Sequence, residues 1–393
     1  MPDEKNLLEN AKELGQNGAH YPTQRAAFSN RTAWLMAILA DAAYIRFEQA
    51  TEESVFKLAE DLAEISDPKT IEVRLSELKS RWSENRGDAS KLEEILGLAG
   101  LKLQATIFND EGDPTNDTEA FLATYDDPDN PDHRFAVIAF RGSTSAVDWL
   151  NNVDAKLEDV RAKRPDEKVP PQVHRGIWRS YKNAETDINE QLKCVREYPL
   201  YLTGHSLGGA LAVLCAYFQP KDNLAACYTF GAPRLGNYEF FQEFYTPIYR
   251  VVNSFDPVTL LPPSKEHVAV LKFINQVLST FLFPSFFLWF RKFATKRQGY
   301  LHAGDLRYMA NATEDKDGEF TFKTFTNFDL GQRIKRLISI ITMPDSYRRI
   351  DRYHDMGLYR RKLRHLARPR NLKIFKPEKP NEAKTDPIGD LGS

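Results

Sequence analysis

Cysteine is scarce in this chain of 393 residues, which contains three. An odd number of scattered cysteines does not form a disulfide framework, so the sequence predicts a reduced, cytoplasmic setting. The first 15 residues also lack a basic segment followed by an apolar stretch, so we expect no secretory signal. The net charge of −2 gives no basis for a general attraction to nucleic acids or other polyanions.

What the chain does have is the composition of a folded domain. Hydrophobic residues make up 42% of it and charged residues 27%, which is enough to bury a large core. No internal repeat is evident, and the length suits one α/β core with insertions. We divide the chain into an N-terminal helical layer packed on the core (1–110), a central domain (111–368) and a mobile C-terminal tail (369–393).

The central domain alternates between apolar strands and helices. Strands are predicted at 118–125, 134–140, 199–204, 224–230 and 248–253, and helices at 176–197, 206–218 and 237–245. The N-terminal layer has predicted helices at 30–50, 52–66 and 69–84. Because strands alternate with helices at this spacing, the fold class is α/β, with a mostly parallel sheet flanked by helices on both faces.

Ser206 lies between glycine residues at the junction of two apolar segments. Residues 199–218 pass directly from an apolar strand into an apolar helix, and Ser206 lies at the junction within "GHSLGG". This is the G-x-S-x-G pattern at a strand-to-helix turn, which exposes a serine hydroxyl at the edge of a sheet. A tight turn without chemistry is the plain alternative. The neighbouring His205 points the wrong way to act as a base, and we expect it to pack against or bond to an adjacent strand.

A serine hydroxyl is a weak nucleophile that needs a base, and the base needs an orienting group. The partners of an elbow serine follow it in the order acid, then histidine. Asp256 meets the first requirement, because it comes just after the apolar strand 248–253 and is held extended by Pro257. An Asp-Pro turn without a catalytic role explains the same loop equally well.

Several stretches together resemble the class 3 lipase family. They are "AFRGSTSAVDWLNN" (139–152), "VHRGIW" (173–178), "GHSLGGALA" (204–212), "TFGAPRLGN" (229–237) and "VNSFDPVTLLPP" (252–263). The resemblance implies an α/β-hydrolase fold, which makes 111–368 a catalytic domain. It also implies hydrolysis of carboxylic esters of acylglycerols or phospholipids through a Ser–Asp–His triad, with the acid at Asp256 and with no metal ion or other cofactor.

The resemblance also assigns roles to the segment after strand 134–140. Ser143 takes the position whose backbone N–H, together with its hydroxyl, stabilises the oxyanion, and the N–H of Leu207 is the second donor. A capping box from Ser145 to Asp148 predicts the start of a helix. In the family this helix is the lid, so Trp149 becomes a candidate substrate-binding residue. Burial of this tryptophan in the core is an equal alternative.

The histidine of the triad has four candidates: His267, His302, His354 and His365. The first is too close to the acid, and the last lies on a helical face that we expect to be solvated. His354 lies in "IDRYHDMGLY" and resembles the D-H-x-x-x-Y segment of the family, although Asp355 follows the histidine instead of preceding it. We predict His354 as the base, with His302 as the second candidate.

Two segments point to lipid. The apolar stretch 268–293, within an insertion spanning 264–298, is nearly long enough to cross a bilayer. A single crossing would separate Asp256 from His354, so it is a cap over the acyl pocket, an in-plane membrane anchor or a buried helical insertion. The basic region 346–376 either attracts anionic headgroups or forms a solvated helix with internal ion pairs.

The sequence therefore predicts a serine hydrolase that acts on esters of lipids. A non-catalytic lipid-binding or scaffolding protein on the same fold is the main alternative, and a thioesterase or amidase would use the same triad. The expected partners are the lipid ester substrate and a membrane surface contacted peripherally through 268–293 and 346–376. No nucleic-acid-binding module is evident, and the sequence leaves the oligomeric state open.

Overall fold

A computed structural model of the protein describes most of the predicted core. The described residues are 3–16, 27–45, 89–109, 118–143, 156–262, 264, 299–302, 304–314, 316, 320–329, 331–333, 335–336 and 352–374. The predicted helices 52–66 and 69–84, the lid with Trp149, and the apolar stretch 268–293 lie outside them. None of the helices within the described ranges is long and apolar enough to cross a membrane.

The core is a sheet of eight strands in the order β1-β2-β3-β6-β7-β8-β9-β12. These strands are β1 (Lys102–Asn109), β2 (Thr118–Asp126), β3 (Arg134–Phe140), β6 (Leu200–His205), β7 (Leu224–Phe230), β8 (Ile248–Asn253), β9 (Asp305–Met309) and β12 (Thr324–Phe325). Two small ribbons pair β4 (Leu157–Asp159) with β5 (Gln172–His174), and β10 (Thr313–Glu314) with β11 (Phe320–Thr321).

The five central strands, from β3 to β9 in the sheet order, run parallel to one another, whereas β1, β2 and β12 are antiparallel to their neighbours. Phe140 pairs with Gly204, and His205 pairs with Phe230, so the strands end nearly level. The loops that follow β3, β6, β7 and β8 therefore meet at one edge of the sheet, where parallel α/β sheets carry their sites.

Helices cover both faces of this sheet. One face carries α1 (Glu4–Gln16), α2 (Asn30–Ala42), α3 (Ala89–Leu98) and α7 (Met356–Ile374), and the other carries α4 (Arg175–Leu192), α5 (Leu207–Phe218) and α6 (Tyr238–Gln242). Strand β3 shows why both layers are needed. Phe135, Val137 and Ala139 pack on the first layer, while Ala136 and Ile138 pack on the second. Strands that are buried on both faces appear in the sequence as continuous apolar runs.

The strands predicted in the central domain are confirmed, but several boundaries differ. Residues 102–109 of the predicted helical layer form β1 at the sheet edge, where Leu103, Ala105 and Ile107 alternate with polar residues. Helix α2 ends at Ala42, well before residue 50. Helix α7 continues to Ile374, so the first residues of the predicted tail 369–393 are helical. Composition alone does not locate such helix ends.

Helix α7 carries most of the described part of the basic region, and four of its cations have partners within the protein. The Arg360 guanidinium donates to Asp41 at 2.7 Å in an ion pair that is almost fully buried. Arg364 and Arg368 both pair with Glu13 of α1. Lys362 donates to Ala310 O and to Asn253 Oδ1. These contacts tie α7 to the N-terminal helices and to the end of β8.

Candidate functional site

The turn between β6 and α5 has the geometry of a nucleophile elbow. Ser206 caps the N-terminus of α5 with φ 55° and ψ −128°, a conformation that non-glycine residues rarely adopt. The turn requires glycine at 204, because a Cβ atom there would lie 2.3 Å from the backbone of Gly208. Strand and helix thus pack closer than side chains allow, and the turn holds the serine in a strained backbone conformation.

Asp256 lies just beyond β8 and is fully buried. Its Oδ1 accepts a hydrogen bond from the backbone N–H of Val258 at 3.0 Å, and its own N–H donates to Asn253 O. The guanidinium of Arg336 donates to Ser254 O and to the hydroxyl of Thr259, which fixes the loop on either side of the carboxylate. The Asp-Pro turn therefore fixes the carboxylate through Oδ1. The other oxygen, Oδ2, is hydrogen-bonded by residues from a distant part of the chain.

Those residues come from the segment that begins α7. His354 Nδ1 lies 2.9 Å from Asp256 Oδ2. The Tyr359 hydroxyl donates to the same oxygen at 2.6 Å and accepts from the N–H of Asn253 at 3.0 Å. Burial and the adjacent Asp256 carboxylate hold the pKa of Tyr359 well above its ordinary value, so this hydroxyl remains a donor.

The backbone of the His354 loop is anchored through Asn253, whose amide donates to Tyr353 O at 2.9 Å. The Lys362 ammonium in turn donates to Asn253 Oδ1 at 2.7 Å. Burial lowers the pKa of this lysine to about 8. The last residue of β8 thus connects the acid, the histidine loop and helix α7. These roles of Tyr359 and Asn253 were not predicted from the sequence, although Tyr359 lies five residues after His354, close to the tyrosine position of the D-H-x-x-x-Y pattern.

His205 differs from the expectation that it would contact a neighbouring strand. Its Nδ1 lies 2.8 Å from the hydroxyl of Tyr44, which follows α2 in the N-terminal layer. Its ring lies against that of His354, with centroids 4.4 Å apart. Burial and, to a smaller extent, the nearby His354 hold the pKa of His205 well below its ordinary value. No pattern in the sequence indicated the contact with Tyr44.

The other described histidine candidates have different partners. His302, the second candidate, precedes β9, and its Nε2 lies 2.6 Å from Thr259 O. His365 is on α7 with its ring beside Phe322, where it is half-buried instead of solvated. Of these candidates, the described structure pairs His354 with Asp256. His267 lies outside the described residues.

The predicted oxyanion residues flank Ser206. Leu207 is the first residue of α5, so its N–H belongs to the helix end whose amides have no partner within the helix. Ser143 follows β3, and its neighbour Gly142 lies against the serine: a Cβ atom on Gly142 would lie 3.1 Å from Ser206 Cβ. The loop after β3 is therefore next to the elbow, as an oxyanion loop requires.

Four polar atoms at this site are buried without a hydrogen-bond partner in the described structure: Ser254 Oγ, His205 Nε2 and, of the predicted triad, Ser206 Oγ and His354 Nε2. Buried polar atoms without partners are uncommon and costly. A hydroxyl and an imidazole nitrogen in this state are available for proton transfer between each other or with a bound molecule. Within the described part of the chain, no group of three or more His, Cys, Asp or Glu residues is placed to hold a metal ion.

The mostly parallel sheet, the elbow serine and the Asp–His pair beyond β8 define an α/β-hydrolase fold. The sequence model of the family described as Lipase (class 3) matches residues 137–266. This matched segment carries the elbow and Asp256, and the resemblance to the class 3 lipase family predicted from the motifs is confirmed.

Curated relatives match the same part of the chain. Secreted mono- and diacylglycerol lipase 1 of Fusarium solani is 31% identical over 155 residues, which is 37% of this chain and 44% of that protein. Lipase of Rhizomucor miehei is 34% identical over 161 residues, covering 38% and 42% of the two chains. Phospholipase A1 EG1 of Oryza sativa subsp. indica is 30% identical, covering 33% and 36%. The chain thus spans less than half the length of these relatives.

Proposed function

We propose that the protein is a serine hydrolase that cleaves carboxylic esters of lipids. The observation that carries the proposal is the buried His354–Asp256 pair together with an elbow serine whose buried hydroxyl has no hydrogen-bond partner in the described structure. A nucleophile, a base and an orienting carboxylate in this chain order are the parts of a Ser–His–Asp triad. A non-catalytic protein would have no need to keep a strained serine next to such a pair.

In the proposed reaction, Ser206 Oγ attacks the acyl carbon while His354 Nε2 takes the hydroxyl proton. The oxyanion that forms accepts hydrogen bonds from the backbone N–H groups of Leu207 and Ser143. His354 then gives the proton to the alkoxide oxygen as the ester C–O bond breaks, which leaves an acyl-enzyme. Water, deprotonated by the same imidazole, releases the fatty acid. Asp256 and the Tyr359 hydroxyl hold the ring with Nδ1–H facing the carboxylate throughout.

Lipid esters are the proposed substrates, because the relatives are named as lipases and as a phospholipase A1. The nucleophile is buried, with Ser206 1% exposed, and we propose that a movement of the surrounding chain admits the substrate. A lipid surface is the natural trigger for such a movement. Trp149 and the stretch 268–293, both outside the described residues, remain the proposed contacts to acyl chains and to the surface.

We expect hydrolysis of p-nitrophenyl esters from C2 to C16 to favour long chains and to rise when anionic liposomes are added. Long acyl chains supply apolar burial in the binding site, and a surface favours the open form in which Ser206 is reached. Release of p-nitrophenol measures the rate. Monoacylglycerol, diacylglycerol and phosphatidylcholine, tested in parallel by fatty-acid release, separate an acylglycerol lipase from a phospholipase.

Three outcomes would contradict this proposal. Turnover that is fastest on the C2 ester and unchanged by liposomes would indicate an esterase for small soluble substrates. No turnover of any ester, with the protein folded, would favour the lipid-binding alternative. Thioesters of the same acyl chains, cleaved faster than the oxygen esters, would instead assign the triad to a thioesterase.

Substitution Gly231→Ala is expected to lower kcat by about a hundredfold, because small displacements of catalytic groups have effects of this size. Gly231 has φ 60°, and a Cβ atom there would lie 2.7 Å from Asp256 Oδ2 and 3.0 Å from His354 Nδ1. Alanine would therefore push the pair apart. Gly97→Ala on α3 is the matched control, since nothing lies within 4 Å of its added methyl group. A kcat for Gly231→Ala equal to that of the control would contradict the assigned roles.

A further inference from the structure

Tyr44 is the residue of the N-terminal layer that reaches the candidate site. It follows α2, close to the end of that helix, and is half-buried. It lies far outside the segment 137–266 that defines the family match. Its hydroxyl nevertheless contacts His205, the residue directly before the nucleophile, at 2.8 Å.

The same hydroxyl also lies against the loop that precedes Ser143. A Cβ atom added to Gly142 would be 2.2 Å from Tyr44 Oη, and 2.5 Å from the backbone oxygen of His205. The backbone amide of Gly142 is within hydrogen-bonding reach of the tyrosine oxygen. Burial raises the pKa of Tyr44 far above its ordinary value, so the oxygen keeps its proton. A phenol that accepts from the Gly142 amide has its own proton free to donate to His205 Nδ1.

A hydrogen bond that is donated to Nδ1 determines the tautomer of the His205 ring. Neutral imidazole has one protonated nitrogen, and the nitrogen that accepts a hydrogen bond is the other one. Because burial keeps His205 neutral, acceptance at Nδ1 places the proton on Nε2. The ring that lies 4.4 Å from His354 is therefore uncharged and fixed in one orientation. A protonated His205 would instead repel the imidazolium that His354 becomes during the proposed reaction.

We propose that Tyr44 is a positioning residue of the active site, which acts through His205: its hydroxyl holds His205 as the Nε2–H tautomer and seats that ring against His354. The inference rests on the proposed function, because it assigns His354 as the base. It extends the site beyond the family segment, since the N-terminal layer then supports the orientation of the catalytic histidine in addition to covering the sheet.

The test combines Tyr44→Phe, which removes only the hydroxyl, with His205→Gln and the double variant. Tyr44→Phe is expected to lower kcat for the best p-nitrophenyl ester about tenfold and to leave KM within twofold, because the change affects the base and not the acyl site. In the His205→Gln background the same substitution is expected to have no further effect on kcat, since the contact through which it acts is gone. Tyr198→Phe is the matched control: its hydroxyl donates to Asp126 beside the opposite end of β6.

A second readout does not depend on activity. Two-bond 1H–15N spectra of 15N-histidine-labelled protein report which ring nitrogen carries the proton. We expect His205 to be an Nε2–H tautomer in the wild type and in Tyr198→Phe, and a mixture of tautomers in Tyr44→Phe. Wild-type protein with the His205 proton on Nδ1 would overturn the inference, whatever the stability of the variants.

The kinetic outcomes are also decisive. A kcat for Tyr44→Phe within twofold of the control, or effects of Tyr44→Phe and His205→Gln that simply add, would show that Tyr44 does not act through His205. Reaction of wild-type Ser206 with a fluorophosphonate distinguishes failure of the role of Tyr44 from failure of the proposed hydrolase function. If the wild type does not react, the proposed hydrolase activity fails; if it reacts while Tyr44→Phe behaves as the control, only the role of Tyr44 fails.

Discussion

Replacing Ser206 with alanine is expected to lower kcat for ester hydrolysis by about a million-fold, which corresponds to about 8 kcal/mol of transition-state stabilisation. The reason is that the proposed reaction forms its covalent bond through Ser206 Oγ, and alanine at the elbow leaves no nucleophile. The backbone turn and the buried neighbours change little, since the hydroxyl has no described hydrogen-bond partner to lose. We therefore expect the variant to be at least as stable as the wild type, with a Tm that is equal or higher.

The matched control is Ser180→Ala. Ser180 is a serine of α4 that is as buried as Ser206 and whose hydroxyl donates to Gly176 O. Removal of this hydrogen bond costs about 1 kcal/mol of stability, and we expect kcat to stay at the wild-type value. Release of p-nitrophenol from the best ester substrate measures both variants. A Ser206→Ala variant that retains even a hundredth of the wild-type rate would contradict the assignment of this serine.

Replacing His354 with alanine is expected to have nearly the same effect as Ser206→Ala, and the double variant is expected to be no worse than either single one. Members of a triad act as one unit, so their effects do not add. Without the imidazole, Ser206 has no base, and the donors that Asp256 keeps among the described residues are Tyr359 and the Val258 amide. The buried carboxylate then lacks one partner, so we also expect a lower Tm.

His302→Gln separates the two histidine candidates that the sequence left open. His302 lies beside Thr259 O, three residues beyond the acid, so its replacement disturbs the loop without removing the partner of Asp256. We expect kcat to remain within about tenfold of the wild type, a loss that corresponds to little more than 1 kcal/mol. If instead His302→Gln abolishes hydrolysis and His354→Ala retains it, the base is His302.

The features that could be predicted from the sequence are those encoded by short-range pattern. The elbow at Ser206 requires a strand, a tight turn and a helix within twenty residues, and each of them has a local signature. The strands β3, β6, β7 and β8 are apolar runs of the length that a doubly covered sheet needs. Asp256 could be placed at the right edge of the sheet because parallel strands end together.

The features that could not be predicted depend on contacts between distant parts of the chain. Tyr44 and His205 are 161 positions apart, and Tyr359 and Asp256 are 103 apart. Neither pair has a fixed spacing, because insertions between the elements change the separation without changing the contact. Among the histidines, a motif resemblance favoured His354 but left His302 open, because both lie close to the acid loop; the contact between His354 Nδ1 and Asp256 Oδ2 tells them apart.

In the N-terminal layer, too, the sequence pattern predicted only part of the secondary structure. Its helices were predicted from apolar periodicity, whereas the strand β1 in the same stretch was not predicted, because Ile107 alone of its described side chains is buried and the others remain partly or fully exposed at the sheet edge. The buried pair of Asp41 and Arg360 fixes this layer to α7, the helix that carries Tyr359. Removal of one partner of such a pair leaves a buried charge, so the layer and the site are coupled in stability.

The central claim is that His354 activates Ser206, and the most direct measurement is the rate at which a fluorophosphonate labels the protein, followed by intact mass. In the wild type we predict one adduct per chain, located by peptide mapping on Ser206. In His354→Ala the same adduct is predicted to form about a thousandfold more slowly, as expected for loss of a general base. A wild-type adduct on any other serine, or equal labelling rates with and without His354, would contradict the account.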